Sequence, residues 1–426
     1  MKRRVLIVSP HFPPVNAPDM QRVRVSLPFF VAAGWDVTVL TVADPTPTAP
    51  LEPELSARLP AAVRVERARC WSRRWTGRLG VNNVALRSLP FLFVTGCRLL
   101  LAQRYDVVYF STTMFVVLPL GRLWRRIAGV PYVVDLQDPW VSDFYERPGA
   151  PPPPGGGKYR LAQGLGHALE GWTLRGAAGL VAVSEAYGRT LRARYPALSR
   201  TPAEVLPFGA PEPDLAVLRA TWPGRTPLLP AGRLRLAFAG ALGPGMLAAV
   251  EVLCAALAAA RAAGVPVTVH FFGTSYSPQA QGRPATLALA MRYGLQDCVH
   301  EQTDRLRYFD ALQVTLEADA NLLFGSTDLG FTPSKILAVL AAGRPVLALA
   351  PAGSAMVARL AQLGQACVVI PPAGPTPGVV REVTALLQAL AAGTAPIADP
   401  AARRAFSAEA MAGRQLDVLA AAAQTA

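Results

Sequence analysis

Short runs of β-branched and other apolar residues alternate with alanine- and leucine-rich segments along the whole chain. The runs are nearly continuous in apolar character, which is typical of parallel strands covered by helices on both faces of a sheet. The predicted strands are Val5–Val8, Val37–Thr41, Val107–Phe110, Tyr132–Leu136, Leu180–Ser184, Val205–Pro207, Leu234–Gly240, Val267–Gly273, Asn321–Phe324, Val346–Ala350 and Val368–Ile370. The pattern therefore predicts an α/β protein.

The segment 208–233 is rich in proline and glycine and lies near the middle of the 426 residues, so it is the best candidate for a linker. We therefore expect an N-terminal Rossmann-like domain over 1–207 and a second one over 234–395. The remaining residues, 396–426, are expected to form a helical segment that packs back on the N-terminal domain.

Composition excludes several classes of protein. Hydrophobic residues make up 52% of the chain and charged residues 16%, which excludes a disordered chain. The net charge is +14, but the cations are arginines apart from three lysines, a ratio that reflects coding bias as much as selection. The five cysteines are scattered and form no CxxC pair, so we expect reduced thiols and neither a disulfide framework nor a zinc site.

The most apolar stretch, Leu89–Ala102, contains Arg98 and is shorter than the ~20 residues that span a bilayer. A buried helix is favoured, and a helix lying in a membrane interface is the alternative. Arginines interleaved with tryptophans support the alternative; they are Arg64, Arg67, Arg69, Arg73, Arg74 and Arg78 with Trp71 and Trp75, and Arg122, Arg125 and Arg126 around Trp124. No nucleic-acid-binding motif accompanies this charge, so nucleic acid is not an expected partner. At the N-terminus, Pro10 interrupts the apolar run before the core of a signal peptide could form. We expect a cytoplasmic protein that contacts the inner face of the cytoplasmic membrane.

Several motifs occur in an order that resembles one family. They are VLIVSPHFPPVNAPDMQRVRVSLPFFVAAGWDVTVLT (5–41), PYVVDLQDPW (131–140), LVAVSEAYGRTL (180–191), LAFAGALGPGM (236–246), TPSKILAVLAAGRPVLAL (332–349) and FSAEAMAGRQLDVL (406–419). Together they resemble glycosyltransferases of family 4 with the GT-B fold. The resemblance implies two Rossmann-like domains facing each other across a cleft, with a nucleotide-sugar on the C-terminal side and the acceptor mainly on the N-terminal side. It also implies transfer with retention of anomeric configuration and no metal or other cofactor.

On the donor side, the departing sugar diphosphate is an anion, so a site without metal must supply donors and cations. Thr332 is a plausible helix N-cap with Pro333 at the first helical position, and Ser334 and Lys335 follow in the first turn. We expect Thr332, Ser334 and Lys335 to contact the donor phosphates, and Lys335 to assist catalysis; an ordinary surface lysine is the alternative. Gly240 and Gly243 would let the backbone approach the phosphates, or would only form a structural turn.

On the acceptor side, Asn16 lies in the proline-rich loop after the first strand, and Arg22 and Arg24 follow it. One of these arginines could bind phosphate or an anionic acceptor; a solvated helix face is the alternative. Asp138 follows a predicted strand at its carboxyl end, where α/β sites usually lie. We expect Asp138 to orient an acceptor hydroxyl or to act as a base, and the alternative is a turn cap.

The sequence departs from the family at three positions. By the motif alignment, the two glutamates common in the family are Gly330 and Ala338 here, and a common histidine is Gln137. Asp328 could replace the first glutamate. These departures leave the identity of the donor sugar open.

The predicted function is metal-independent transfer of a sugar from a nucleotide-sugar to a polysaccharide or glycolipid acceptor. We expect this acceptor to be lipid-linked, since the arginine and tryptophan cluster suits a membrane surface. A non-catalytic GT-B binding or scaffold protein is the first alternative, because both glutamates are missing. A sugar-nucleotide epimerase of the same fold is the second.

Overall fold

The computed structural model describes residues 2–141, 157–232, 234–275, 282 and 284–425. The chain divides into two compact units: Met1–Gly209 with Ala408–Ala426, and Ala210–Ser407. Each unit is built on one parallel sheet with helices packed against it, so the α/β fold predicted from the alternating pattern is confirmed.

The first unit contains a seven-stranded sheet with the order β3-β2-β1-β4-β5-β6-β7. All neighbouring strands are parallel, and the central β1 pairs with β2 on one side and β4 on the other. Its strands are β1 (Arg4–Val8), β2 (Asp36–Val42), β3 (Arg64–Ala68), β4 (Val107–Ser111), β5 (Tyr132–Leu136), β6 (Gly179–Ala182) and β7 (Ala203–Val205). Its helices are α1 (Gln21–Ala32), α2 (Pro53–Ser56), α3 (Arg73–Thr76), α4 (Val84–Ala102), α5 (Pro119–Ala128), α6 (Gly157–Leu174), α7 (Glu185–Arg194) and α16 (Ala408–Ala423).

Helices α4 and α5 pack against each other over the sheet, and this contact settles the position of Trp124. The Trp124 ring is fully buried and stacks on Phe110, with 5.7 Å between ring centroids. Gly96 of α4 makes room for it, because a Cβ there would lie 2.1 Å from the ring. The expectation that Trp124 faces a membrane is therefore wrong: it is a core residue.

The second unit contains a six-stranded parallel sheet with the order β10-β9-β8-β11-β12-β13. Its strands are β8 (Leu234–Ala239), β9 (Val267–Phe272), β10 (Val299–Gln302), β11 (Ala320–Phe324), β12 (Val346–Pro351) and β13 (Val368–Ile370). Its helices are α8 (Glu212–Thr221), α9 (Leu247–Ala262), α10 (Ala285–Met291), α11 (Tyr308–Glu317), α12 (Ile336–Ala341), α13 (Ala355–Gln362), α14 (Pro377–Ala391) and α15 (Pro400–Arg403).

The segment 208–233, expected to be a linker, contributes most of its length to the second unit. It contains helix α8, and beyond that helix Leu229 is buried beside Ala237 and Val314. The Glu317 carboxylate accepts hydrogen bonds from the backbone N–H groups of Leu228 and Leu229, both at 2.8 Å. These contacts hold the proline-rich chain against the sheet rather than leaving it as a free connection.

In both sheets the first strand of the unit lies between its second and fourth strands. The connections from these neighbouring strands leave in opposite directions, which creates a crevice at the carboxyl edge of the sheet. Ligands of open α/β sheets bind at such points. A ligand site is therefore expected among the residues that follow β8 and β11, and among those that follow β1 and β4.

Candidate functional site

In the second unit, the loops after β8 and β11 pack closely against each other. The backbone N–H of Thr327 donates to the carbonyl oxygen of Gly245 at 3.0 Å. A Cβ on Gly245 would lie 2.5 Å from Ser326 Oγ, so only glycine fits there without movement. Gly240 is in a backbone conformation with φ of +140°, which L side chains rarely adopt. A Cβ on Gly240 would lie 3.0 Å from Lys335 Nζ.

The glycines of this loop therefore differ in their roles. Gly240 has the special conformation and close approach that the sequence analysis expected. Gly243 has neither, because it is extended and a Cβ on it would meet nothing within 4 Å. The close approach expected of Gly243 occurs at Gly245, two residues later.

The side chain of Lys335, which precedes helix α12, reaches the carboxyl end of strand β8. Its Nζ donates to the carbonyl oxygen of Ala239 at 3.0 Å and lies 3.1 Å from the centroid of the Phe238 ring. Burial lowers the pKa of Lys335 well below its ordinary value. The only hydrogen bond described for this ammonium group goes to a neutral carbonyl, so an anion bound at the carboxyl edge would provide the missing counter-charge.

The helix expected to begin at Thr332 begins later. Helix α12 starts at Ile336, Lys335 occupies the N-cap position, and no side chain caps the helix. Thr332 is therefore not an N-cap, and Ser334 is an exposed turn residue rather than part of the first helical turn. Contact of Thr332 and Ser334 with the donor phosphates stays a prediction, and Lys335 reaches the carboxyl end of β8 through its long side chain.

The positions of the missing glutamates lie close to this site. Gly330 donates its backbone N–H to Asp328 Oδ1 at 3.2 Å, which closes a short turn. Ala338 is half-buried in α12. Asp328 thus stabilises the local turn, and its suggested replacement of the first glutamate stays a prediction.

In the first unit, the residues after β1 and β4 form a hydrogen-bonded group that the sequence analysis missed. His11 Nδ1 lies 3.0 Å from Asp19 Oδ1, and Thr112 Oγ1 donates to the other oxygen of Asp19 at 2.8 Å. Asp19 is buried, whereas the side chain of His11 is 16% exposed. Burial opposes protonation of the imidazole, but the hydrogen bond to Asp19 and the charges of Asp19 and Asp44 outweigh it, so the pKa of His11 is raised.

Two polar residues at the end of β5 belong to the same edge. Gln137 Nε2 donates to the main-chain oxygen of Asp19 at 3.0 Å and to Ser111 Oγ at 2.9 Å. Asp138 follows it and is exposed at the surface of the unit. Partial desolvation of its carboxyl group and the charge of Asp19 raise the pKa of Asp138. The structure thus brings Asp138 to the edge where His11 and Asp19 lie.

Arg22 is directed into the first unit. Its Nε lies 2.9 Å from Asp135 Oδ2, and its two terminal nitrogens donate to the carbonyl oxygens of Leu206 and Pro207. Asp135 also accepts from Ser111 Oγ at 2.7 Å. Because this side chain is buried and engaged with the protein, the expectation that Arg22 binds an external anion is wrong.

Arg24 and Asn16 are also buried and bonded within the unit. Arg24 Nε donates to Gln21 Oε1 at 2.9 Å. Asn16 Nδ2 donates to Glu52 Oε1 at 2.7 Å, and its oxygen accepts from Gln21 Nε2 at 3.2 Å. These residues brace the loop after β1, and direct contact of either one with an acceptor stays a prediction.

No group of three or more His, Cys, Asp or Glu side chains that could hold a metal ion occurs among the residues that the structure describes. The five cysteines are free thiols. The polar groups at the two sheet edges are therefore the ammonium group of Lys335 in the second unit, and an imidazole with carboxylates in the first.

Comparison with known proteins agrees with this architecture. Residues 29–209 match the family described as glycosyl transferase 4-like domain. At the level of sequence, no curated protein matches the chain.

The fold recurs in solved structures over the full length of the chain. A complex of Anabaena Alr3699/HepE with UDP-glucose has a TM-score of 0.53 at 17% identity, covering 99% of this chain and 97% of that one. A UDP-forming α,α-trehalose-phosphate synthase from Burkholderia xenovorans has a TM-score of 0.61 at 11% identity, covering 99% of both chains. A glycosyltransferase from Rickettsia africae has a TM-score of 0.60 at 12% identity, covering 100% of both.

These similarities and the two Rossmann-like units agree with the resemblance drawn from the sequence motifs. The low identities fit the departures at Gly330 and Ala338 from the family pattern. The chain therefore has the GT-B fold, and its residues 29–209 match a glycosyl transferase 4-like domain.

Proposed function

We propose that this protein transfers a sugar from a nucleotide-sugar to a polysaccharide or glycolipid acceptor that is lipid-linked, on the cytoplasmic side of the membrane. The observation that carries the donor half of the proposal is Lys335, whose ammonium group lies at the β8 edge with a neutral carbonyl as its hydrogen-bond acceptor. The complexes of the HepE relative with UDP and UDP-glucose support a nucleotide-sugar as the donor.

The leaving nucleoside diphosphate gains negative charge as the glycosidic bond breaks, so catalysis requires positive charge near its phosphates. Lys335 supplies an ammonium group. The backbone N–H groups of Gly240 and Leu242 already donate to the carbonyl oxygens of Phe272 and Thr274, so the loop adds at most its remaining N–H groups. We propose that these groups suffice without a metal ion. Turnover that is unchanged by EDTA and by added Mg²⁺ would support this, and activity that depends on a divalent cation would refute it.

On the acceptor side, we propose that His11, held by Asp19, hydrogen-bonds the acceptor hydroxyl, with Asp138 beside it. The resemblance to family 4 favours retention, in which the hydroxyl proton passes to the departing phosphate. The His11–Asp19 pair favours a second candidate, in which His11 takes the proton and the configuration inverts. The anomeric configuration of the product, measured by NMR from a donor of known configuration, decides between them.

The direct test is incubation with a panel of UDP- and GDP-sugars and a membrane extract as acceptor source, with released nucleotide as the readout. We expect one donor to give release that depends on acceptor and is lost in Lys335→Met. A matched control is Lys2→Met, which removes an exposed lysine from the first unit. If every donor is inactive although the nucleotide binds, the protein is a non-catalytic GT-B protein and the proposal is refuted.

A further inference from the structure

Helix α4 has an apolar face that is open to solvent. Leu86, Val94 and Leu101 are 44%, 65% and 65% exposed. Their separations of eight and seven residues place them on the same side of an α-helix. Two helical segments of the described chain are long and apolar enough to cross a membrane; this one is 39% buried and Pro244–Ala262 is 50% buried.

The chain just before α4 carries three further exposed apolar side chains. Trp71, Trp75 and Leu79 are 52%, 71% and 83% exposed. The segment is fixed to the helix, because the Trp71 ring packs edge-on against Phe91 with centroids 5.4 Å apart. We call these six residues the docking face: Trp71, Trp75, Leu79, Leu86, Val94 and Leu101.

The charges around the docking face are mostly positive, and two nearby carboxylates are each paired with an arginine: Asp44 with Arg87, and Glu66 with Arg98. The sequence contains no aspartate or glutamate between Glu66 and Asp106. Four exposed arginines lie at the tryptophan end of the face: Arg69, Arg73, Arg74 and Arg78. Tryptophan and arginine together suit the headgroup region of a membrane, where the indole ring sits at the interface and the guanidinium pairs with phosphate. Each arginine near an anionic surface strengthens binding by about fivefold.

The opposite side of α4 is part of the core of the first unit. Leu92 and Leu99 are buried there, and Gly96 contacts Trp124. A helix that spans a bilayer would have to leave this packing. The exposed face can be buried in an interface without unfolding the unit, so the geometry favours a helix that lies along the membrane.

We propose that the docking face binds an anionic phospholipid bilayer and lies within its headgroup region. This rests on the proposed function only in so far as a lipid-linked acceptor is found at such a surface. A protein partner would meet the same apolar face, but the excess of exposed arginines, with Asp44 and Glu66 each already paired with an arginine, favours a continuous anionic surface.

The experiment is co-sedimentation of the full chain with vesicles, without nucleotide or acceptor. Vesicles of phosphatidylglycerol and phosphatidylcholine in equal parts are compared with vesicles of phosphatidylcholine alone. We expect binding to the anionic vesicles that is at least about tenfold tighter and that weakens as salt rises above about 0.1 M. Quenching of tryptophan fluorescence by brominated lipids should accompany binding and should decrease in Trp75→Phe.

Variants separate the apolar contribution from the charges. The double variant W75A/L79S should weaken binding to anionic vesicles about tenfold or more, the effect of removing buried apolar side chains from an interface. The double variant R73E/R74E should weaken binding and flatten its dependence on salt. Matched controls in the second unit are Met291→Ala and Arg381→Glu, which change exposed residues and should leave binding unchanged.

Because vesicle binding requires no catalysis, its failure is distinguishable from failure of the proposed function. Equal binding to both vesicle types, or binding that W75A/L79S leaves intact, would overturn the proposal. So would a dimer, seen by light scattering, that W75A/L79S abolishes while the wild-type protein ignores vesicles. Nucleotide release without vesicle binding would refute the proposal that the docking face binds a bilayer, and it would leave the proposed function intact.

Discussion

Replacement of Lys335 by methionine should weaken nucleotide binding strongly. The ammonium group can donate three hydrogen bonds, and one goes to the carbonyl oxygen of Ala239. A second faces the Phe238 ring, so one donor stays available for a diphosphate. A hydrogen bond to a charged group contributes about 1.5–3 kcal/mol. Loss of one such net contribution raises the Kd for UDP or GDP by about 10- to 150-fold.

Arginine should not rescue this function. A Cβ on Gly240 would already lie 3.0 Å from the ammonium nitrogen, so the backbone leaves little room for a planar guanidinium group. We expect Lys335→Arg to bind nucleotide nearly as weakly as Lys335→Met. Lys2→Met, which removes a lysine on the surface of the other unit, should bind like the wild-type protein.

Nucleotide binding at Lys335 should be accompanied by uptake of protons. Burial holds the pKa of Lys335 well below its ordinary value of about 10.4 in the free protein. A bound diphosphate favours the charged form and raises this pKa, so binding takes up a proton in the pH interval between the two values. Nucleotide affinity therefore falls as pH rises through the pKa of the free protein.

Stability of the free protein depends on pH in the opposite direction. Between the lowered folded-state pKa and the ordinary value, the unfolded chain binds more protons at Lys335 than the folded chain does. The contribution of this residue to the free energy of unfolding therefore increases with pH across that interval.

Calorimetric titration with nucleotide in two buffers of different ionisation enthalpy measures the proton uptake on binding, and Lys335→Met should abolish this uptake. A Kd that changes by less than about twofold in this variant would refute the reasoning.

Three further substitutions test other parts of the structure. Gly245→Ala should lower the free energy of unfolding by about 1–3 kcal/mol in a thermal or urea denaturation, because its Cβ would overlap the loop after β11, whereas Gly243→Ala should be near neutral. Asp19→Asn should lower the pKa of His11, because the carboxylate raises it, and the NMR titration of the imidazole should move to lower pH; an unchanged titration would contradict the pairing. Arg87, a buried residue of α4, pairs with the partly buried carboxylate of Asp44. Arg87→Ala should lower the free energy of unfolding by about 1–3 kcal/mol in urea denaturation, because Asp44 loses its charged hydrogen-bond donor; a loss under about 0.5 kcal/mol would show that the pair is solvated.

The central strands and the edge strand β13 (Val368–Ile370) could be predicted from the sequence, whereas two other edge strands could not. The apolar runs correctly indicated the strands in the middle of each sheet. They missed β3 (Arg64–Ala68) and β10 (Val299–Gln302), which lie at the edges. An edge strand has one neighbour and a partly exposed surface, so it can contain charged and polar residues, as β3 and β10 do, instead of a continuous apolar run.

At the candidate site, residues that follow strands were easier to predict than residues that depend on loop conformation. Gly240 and Asp138 lie at carboxyl edges, as the positions of β8 and β5 indicated. The prediction that Thr332 is an N-cap was wrong because the chain after β11 stays irregular up to Lys335. Neither composition nor capping preference indicates this. His11 was missed because its partner is eight residues away across a proline-rich loop.

Trp124 shows why side-chain environment is harder to predict than secondary structure. Arginines surround it in the sequence, and that composition suits an exposed helix. The indole ring is buried because Gly96, on another helix, leaves space for it. The information that decides between the two environments therefore lies in a contact between residues far apart in the chain.

The division of the chain into units also has a consequence for biosynthesis. The second unit is one continuous segment, Ala210–Ser407, whereas the first needs α16, which is translated after it. Helix α16 packs on α1, where Gln415 Nε2 donates to Ser26 Oγ at 3.0 Å. On the ribosome the inserted unit can therefore complete its core while the first still lacks its last helix. Until α16 emerges, the face of α1 that receives it is uncovered, and chaperones would encounter the nascent protein there.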